Sequence, residues 1–125
     1  MSLDVFSDVH AKTTRLSIHQ IAQELVDHLG GTLVAALANV RDRKLPYRWA
    51  KPDGTDPQVE AEVRLRAAYQ IWLLLTKEDN DYVARAWFIG TNPRLGDRQP
   101  VMALRDGLYS ETFAAAAAFV TGTDQ

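Results

Sequence analysis

Apolar residues recur at intervals of three and four along most of the chain, a pattern that predicts amphipathic helices separated by turns. The first clear stripe consists of Ile18, Ile21, Ala22, Leu25 and Leu29. Ser17 and Gln20 have the spacing of a capping box at its start, and glycines 30–31 end it because glycine readily adopts the left-handed conformation found there. Residues 1–15 show no clear period, so we expect a loose arm or a short helix.

Two short helices are expected after the glycine pair. Thr32 is placed to cap the first, which carries Leu33, Ala36, Leu37 and Val40. Pro46 is tolerated in a first helical turn and disfavours helical geometry at Leu45, so the second runs only from about Pro46 to Lys51. The sequence Pro52-Asp53-Gly54 then predicts a turn.

The longest predicted helix begins with Asp56 as N-cap and Pro57 as first residue, and continues to about Lys77. Its expected core stripe is Val59, Val63, Ala67, Ile71 and Leu74. Glu60–Arg64 and Glu62–Arg66 are spaced as i,i+4 ion pairs on the other side. The run IWLLL near its end is apolar all round and should be buried, and we expect a second copy of the chain to help cover it.

Three further helices complete the pattern. Asp79 or Asn80 breaks the long helix and caps one over residues 82–89, which Gly90 ends. Pro100 begins a short helix through Arg105, and residues 110–120, capped by Ser110, form the last across an alanine run. Because no stretch shows the alternation typical of a strand, the predicted fold class is all-α.

The segment FIGTNPRLGDRQPVMALRDG, residues 88–107, is turn-dense, with three glycines and two prolines. It contains no cysteine, histidine, serine or lysine that could act in catalysis. Elsewhere, His19 and His28 are nine residues apart, too far for the i,i+4 grip of a metal. The carboxylate pairs Glu60/Glu62 and Asp79/Asp81 have structural explanations at helix termini or beside arginines. We therefore expect neither an enzyme nor a cofactor or metal.

Composition fits one small globular domain, or a domain with a smaller helical companion, since 46% of the 125 residues are hydrophobic. The absence of cysteine excludes disulfides and thiolate metal sites. No apolar run approaches the roughly 20 residues needed to cross a bilayer. No signal-peptide pattern opens the chain, so it is expected to be cytoplasmic, with no membrane partner.

Charge is unevenly distributed despite a formal net charge of −2. Basic residues are concentrated at positions 41–51, with Asp42 as the one opposing charge and Tyr47 and Trp49 interleaved. This spacing is compatible with a helix-turn-helix that contacts operator DNA. The expected DNA-binding residues are Arg41, Arg43, Lys44, Tyr47, Arg48 and Lys51, whereas Trp49 is expected in the core. The alternative is a solvated basic turn.

The motif in residues 87–104 resembles the toxin-binding domain of Xre/MbcA/ParS-type antitoxins. The matching residues are Trp87, Asn92-Pro93, Leu95-Gly96, Pro100 and Leu104. Upstream, LVAALANVRDRKLPYRWA resembles the Xre-like helix-turn-helix that precedes this domain. Two departures are Asp97, where a second glycine is common, and Pro46 in the expected recognition helix.

The resemblance implies a type II antitoxin that neutralises a RES-domain toxin, a class that destroys NAD, by obstructing its active site. It implies an arm at 1–16, an Xre-like domain at 17–54 that can bind operator DNA and repress the operon, and a toxin-binding domain at 55–125. A homodimer is expected separately, from the apolar end of the longest helix. The expected toxin-binding residues are Trp87, Asn92, Pro93, Arg94, Leu95, Gly96, Arg98, Arg105, Tyr109 and Phe113. Among the signature residues, we expect Trp87, Leu95 and Leu104 to fill the core.

Two other functions are compatible with the same residues. One is a stand-alone helix-turn-helix transcriptional regulator without a toxin. The other is a structural adaptor with no DNA role.

Overall fold

The longest element of the fold is α5 (Val59–Glu78), a 20-residue helix whose inner face lies in the hydrophobic core. The computed structural model describes residues 3–123, with side chains from residue 7 onward. Within this range the chain forms eight α-helices, one 3-10 turn at Pro93–Leu95 and no strand. The other helices are α1 (Leu3–Arg15), α2 (Ile18–Leu29), α3 (Gly31–Ala38), α4 (Leu45–Ala50), α6 (Asp81–Ile89), α7 (Pro100–Arg105) and α8 (Tyr109–Thr121). The predicted all-α class is confirmed, and the first segment is a helix.

Six helices contact α5 directly: α1, α2, α3, α6, α7 and α8. The remaining helix, α4, packs on α2 and α3, and α3 also packs on α7. One continuous hydrophobic core therefore contains residues from both ranges expected to form separate domains, 17–54 and 55–125. No helix among residues 3–123 is long and apolar enough to cross a bilayer.

The start of α2 confirms the predicted capping box. Ser17 Oγ accepts the Gln20 N–H at 3.1 Å, and Gln20 Oε1 accepts the Ser17 N–H at 2.9 Å. The prediction for α3 is wrong, because this helix begins at Gly31 and Thr32 lies within its first turn. Gly30 has a φ of +84°, which turns the chain so sharply that α3 begins with no linker.

The start of α5 also differs from the prediction. Gln58, not Asp56, occupies the N-cap position, and the helix begins at Val59 rather than Pro57. Asp56 is used elsewhere, since its Oδ1 lies 2.9 Å from Nε2 of His19 in α2. A long-range partner thus takes the carboxylate that local spacing had assigned to the helix cap.

The predicted core stripe of α5 is wrong in its first half. Val59 and Val63 are 75% and 43% exposed, whereas Leu65 is fully buried. The inner face instead follows Ala61, Leu65, Ala68, Tyr69, Trp72 and Leu75, and it also includes Ile71 and Leu74. This register buries the larger side chains against α2 and α8, which outweighs burial of two valines near the helix start.

The end of α5 is covered by the chain itself. In the run IWLLL, Leu73 is partly buried and the other four residues are buried. The apolar end therefore does not require the second copy of the chain that the sequence had suggested for this purpose.

Of the two ion pairs predicted on α5, Glu62–Arg66 is present and Glu60–Arg64 is replaced by backbone hydrogen bonds. Glu62 Oε2 and Arg66 Nε lie 2.9 Å apart, as predicted. Arg64 instead donates to two backbone carbonyls, those of Glu60 at 3.2 Å and Arg105 at 3.0 Å. The second of these bonds ties the end of α7 to α5.

The remaining helix boundaries lie close to the predictions. Asn80 Oδ1 accepts the Val83 N–H at 2.9 Å and caps α6, and α7 has the predicted bounds. Helix α4 begins and ends one residue earlier than expected. Ser110 does not cap α8, which begins at Tyr109, because its hydroxyl donates to Glu111 Oε1 at 2.7 Å.

The register of α5 predicts opposite effects for two truncations on one helix. Leu65→Ala removes a fully buried side chain and should lower the free energy of unfolding by about 2–5 kcal/mol. Val59→Ala removes a largely exposed side chain and should change it by less than about 0.5 kcal/mol. Urea unfolding measures both, and equal losses would contradict the observed register.

Candidate functional site

The loop between α6 and α7, residues 90–99, is held in one conformation by Asn92. We call this segment the Asn92 loop. The Asn92 side chain accepts the Arg94 N–H at 2.9 Å, and its backbone carbonyl accepts the N–H groups of Leu95 and Asp97, each at 2.9 Å. The Asn92 N–H donates to the Arg98 carbonyl at 3.0 Å. One residue thus connects both ends of the 3-10 turn.

Two consecutive residues of the Asn92 loop have left-handed backbone conformations. Gly96 and Asp97 both have a φ of +64°. Glycine adopts this conformation without steric cost, and aspartate tolerates it better than most residues. A glycine would suit position 97 because the backbone there is left-handed. Asp97 adopts the same left-handed conformation, so the turn is kept.

The Asn92 loop is anchored from within. Leu95 is 3% exposed, and Trp87 at the end of α6 is 8% exposed. The Trp87 ring lies edge-on to Phe88, with centroids 5.6 Å apart, and 6.5 Å from Phe119 of α8. Trp87 Nε1 is buried and donates to no acceptor among the described residues. Trp87 and Leu95 therefore support the loop from inside and are not part of its outer surface, and Leu104 is likewise in the core.

Two hydrogen bonds join the Asn92 loop to neighbouring helices. Arg94 Nη2 donates to the Thr123 carbonyl at 2.6 Å, just beyond the end of α8. Gln99 Nε2 donates to the Ile89 carbonyl at 2.8 Å, at the end of α6. The loop and the C-terminal end of α8 consequently lie side by side.

The ten residues predicted to bind a toxin differ in exposure. Pro93, Arg94, Gly96 and Arg98 are exposed on the Asn92 loop, and Asn92 is half-buried. Arg105, Tyr109 and Phe113 are half-buried, and the two aromatic rings pack against the core. Pro93, Arg94, Gly96 and Arg98 thus form the outward part of this set.

One exposed surface next to the loop was not among the predicted site residues. Tyr82, Arg85, Ala86 and Ile89 are exposed along one side of α6. We call these four residues the α6 stripe. The signal was present in the sequence, because placing Ala84, Trp87 and Phe88 inside leaves these positions on the opposite side of a helix.

The six residues predicted to bind DNA are all exposed. Arg41, Arg43 and Lys44 lie in the link between α3 and α4, while Tyr47, Arg48 and Lys51 lie in or just after α4. Asp42 organises this link, since its Oδ1 accepts the Lys44 N–H at 2.9 Å and its Oδ2 lies 3.5 Å from Arg48 Nη1. Asn39 ends α3 in a left-handed conformation, with a φ of +62°.

Helix α4 is short and largely committed to packing. It has six residues, of which Pro46, Trp49 and Ala50 are buried, as predicted for Trp49. The Tyr47 ring covers Gly31, and its hydroxyl lies 3.4 Å from the Gly31 N–H. This leaves Arg48 as the basic side chain that α4 itself presents to solvent.

The two histidines of α2 contribute to packing contacts. His19 Nδ1 lies 2.8 Å from the Trp49 carbonyl while its Nε2 faces Asp56, so the ring connects α2 to the segment that follows α4. His28 stacks on Trp72 with centroids 4.6 Å apart, and its Nδ1 lies 3.5 Å from Asp81. Among the side chains described, those of residues 7–123, no group of three or more His, Asp or Glu is arranged to hold a metal ion.

A buried tyrosine links α5 to α2 beside an open groove. The Tyr69 hydroxyl donates to Glu24, and burial, supported by this bond and by the charge of Glu24, raises the pKa of Tyr69. Glu24 lines a groove of about 780 Å³ formed by α1, α2 and the end of α4. None of the residues that line this groove belongs to the Asn92 loop.

No protein-family model, curated protein or solved structure matches this chain.

The Asn92 loop predicts a difference between two substitutions of one residue. Asn92→Ala removes the side-chain acceptor for the Arg94 N–H and should lower the free energy of unfolding by about 1 kcal/mol. Asn92→Asp keeps an acceptor oxygen at that position and should retain most of the stability. Urea unfolding, together with hydrogen exchange of the Arg94 amide, measures the difference. Identical exchange rates of the Arg94 amide in both variants would contradict the role of the Asn92 side chain as its acceptor.

Proposed function

We propose that this chain is a type II antitoxin that binds and neutralises an NAD-degrading RES-domain toxin. The observation that carries the proposal is the Asn92 loop, a hydrogen-bonded turn that exposes Pro93, Arg94 and Arg98 and is joined to the end of α8. A preorganised surface loses little conformational entropy on binding, so its contacts translate efficiently into affinity. The resemblance adds the class of partner.

The exposed and the buried residues of this surface have different roles in the proposal. Arg94 and Arg98 are exposed at the turn, and arginine is among the residues that most often dominate protein interfaces. Trp87 and Leu95 act beneath them by holding the turn in place. In this proposal the loop and the adjacent end of α8 cap the toxin and obstruct its NAD cleft.

Co-expression with a RES-domain protein encoded next to this chain tests the proposal. The wild-type chain should restore growth, and Arg94→Ala combined with Arg98→Ala should weaken binding to the purified toxin about tenfold or more. Val59→Ala, an exposed change on α5, is the matched control and should leave the affinity unchanged. Failure of the wild-type chain to restore growth would exclude the antitoxin function.

The second candidate is a DNA-binding regulator, acting alone or through repression of the antitoxin operon. Its support is the exposure of every basic residue in segment 41–51. The short α4, with Trp49 and Pro46 buried, supports contacts to phosphates better than reading of bases in the major groove. The adaptor without a DNA role remains the alternative if this segment binds no DNA.

A mobility-shift titration on the DNA upstream of the gene separates these functions. Arg43→Ala and Arg48→Ala should each weaken binding, and each lost phosphate contact should reduce the salt slope by about 1. Arg85→Ala removes an exposed arginine from α6 and serves as the control. Binding that is unaffected by either change in segment 41–51 would rule out this segment as the DNA contact.

A further inference from the structure

The groove that Glu24 lines lies beside the first half of α2, and we call it the α2 groove. Its volume of about 780 Å³ falls within the roughly 300–1,000 Å³ of typical small-molecule sites. Leu16, Ala50 and Pro52 form the apolar part of its lining. None of the residues assigned above to toxin or DNA contacts lines it, so the α2 groove is a surface to which no ligand has been assigned.

Hydrogen bonds within the chain determine which polar atoms of the α2 groove remain available to a ligand. Gln20 Oε1 accepts the Ser17 N–H at 2.9 Å, which leaves the Gln20 Nε2 donor without an acceptor among the described residues. Gln23 Nε2 donates to Asp27 Oδ1 at 2.8 Å, which leaves the Gln23 Oε1 acceptor. Both ring nitrogens of His19 are already engaged. The groove therefore offers one amide donor and one amide acceptor.

The α2 groove also contains one side chain of each charge. Glu24 is half-buried, and the hydroxyl of the buried Tyr69 donates to its Oε2. No cationic side chain in the described part of the chain forms an ion pair with Glu24, and Lys12, which is exposed on α1, has no carboxylate partner there either. A half-buried carboxylate interacts with a cation more strongly than an exposed one does. Glu24 is thus a position at which a ligand cation gains binding energy.

Tyr69 gives the carboxylate of Glu24 a fixed position. The tyrosine ring is 1% exposed within the core, so its hydroxyl cannot move away to solvent. Because the hydrogen bond occupies Oε2, Glu24 Oε1 is the carboxylate oxygen left for a ligand. An acceptor that is held in place before binding loses little conformational entropy when the ligand arrives.

The available donor and acceptor lie one helical turn apart. Gln20 and Glu24 are at i and i+4 of α2, a spacing that places their Cβ atoms about 5–6 Å apart on one face of the helix. Lys12 adds a positive charge from α1. A ligand with a negative and a positive group close together complements this arrangement, and a free α-amino acid carries both on one carbon atom.

We propose that the α2 groove binds a free α-amino acid with an apolar side chain. The ligand carboxylate accepts hydrogen bonds from Lys12 and Gln20, and its ammonium group donates to Glu24. The ligand side chain lies against the three apolar residues of the lining. An amine without a carboxylate would leave both donors unused, and a carboxylate without an amine would leave Glu24 without a cation. The inference is independent of the antitoxin function, since it uses none of the same residues.

A titration with L-phenylalanine, followed by the backbone amide signals in ¹H–¹⁵N NMR spectra, tests this site. The signals of Gln20 and Ala50 should shift in a saturable way, with a millimolar Kd for a ligand of this size. N-acetyl-L-phenylalanine lacks the ammonium group and L-phenylalaninamide lacks the carboxylate. Each should bind about tenfold more weakly or worse, because each loses one charge-assisted contact.

Two substitutions test the residues that meet the ligand. Glu24→Gln removes the charge but keeps an acceptor for the Tyr69 hydroxyl, and it should weaken L-phenylalanine binding about tenfold. Glu78→Gln, at an exposed carboxylate near the end of α5, is its matched control and should leave the affinity unchanged. Lys12→Gln should also weaken binding, whereas Lys77→Gln, at another exposed lysine, should not.

Three outcomes would overturn the proposal. The first is the absence of saturable shifts at the groove residues, and the second is equal affinity for L-phenylalanine and its two blocked derivatives. The third is a Lys12→Gln variant that binds as well as Lys77→Gln. This last comparison decides the matter even if Glu24→Gln fails to fold, since both lysines are exposed. Rescue of growth in the toxin assay tests the antitoxin function separately, so the two proposals can fail independently.

Discussion

Burial of the inner face of α5 is the constraint on which the rest of the structure depends. Leu65, Tyr69 and Trp72 point from this helix into a core to which six other helices contribute. Polar bonds at its sides fix those helices along its length. Arg66 Nη1 donates to the Thr13 carbonyl at the end of α1, and Arg64 Nε donates to the Arg105 carbonyl at the end of α7. The Arg64 bond fixes the end of α7, the helix that follows the Asn92 loop.

The Asn92 loop shows how a segment without reactive side chains acquires a defined shape. Its backbone groups bond within the loop, Leu95 fills the core beneath it, and Arg94 and Gln99 bind adjacent helix ends. The left-handed residues Gly96 and Asp97 reverse the chain, and Asn92 and Arg98 form a single antiparallel bridge across the turn. The turn residues of this segment therefore give it a defined, hydrogen-bonded shape.

The parts of the fold that follow from local chemistry could be predicted from the sequence. The capping box at Ser17, the cap at Asn80 and the proline start of α7 depend on residues a few positions apart. The errors arise where distant residues compete. Asp56 has the local features of a helix cap, yet His19, 37 positions earlier in the sequence, takes its carboxylate. Val59 and Val63 fit a helical stripe, but packing of larger residues decides which face of α5 is inside.

The candidate site could be predicted only in part, because packing between distant residues again decides the rest. The signature residues identify the Asn92 loop, but only the packing separates the buried supports Trp87 and Leu95 from the exposed arginines. The α6 stripe becomes visible once the inner face of α6 is known. The α6 stripe ends at Ile89, and the Asn92 loop begins at the next residue.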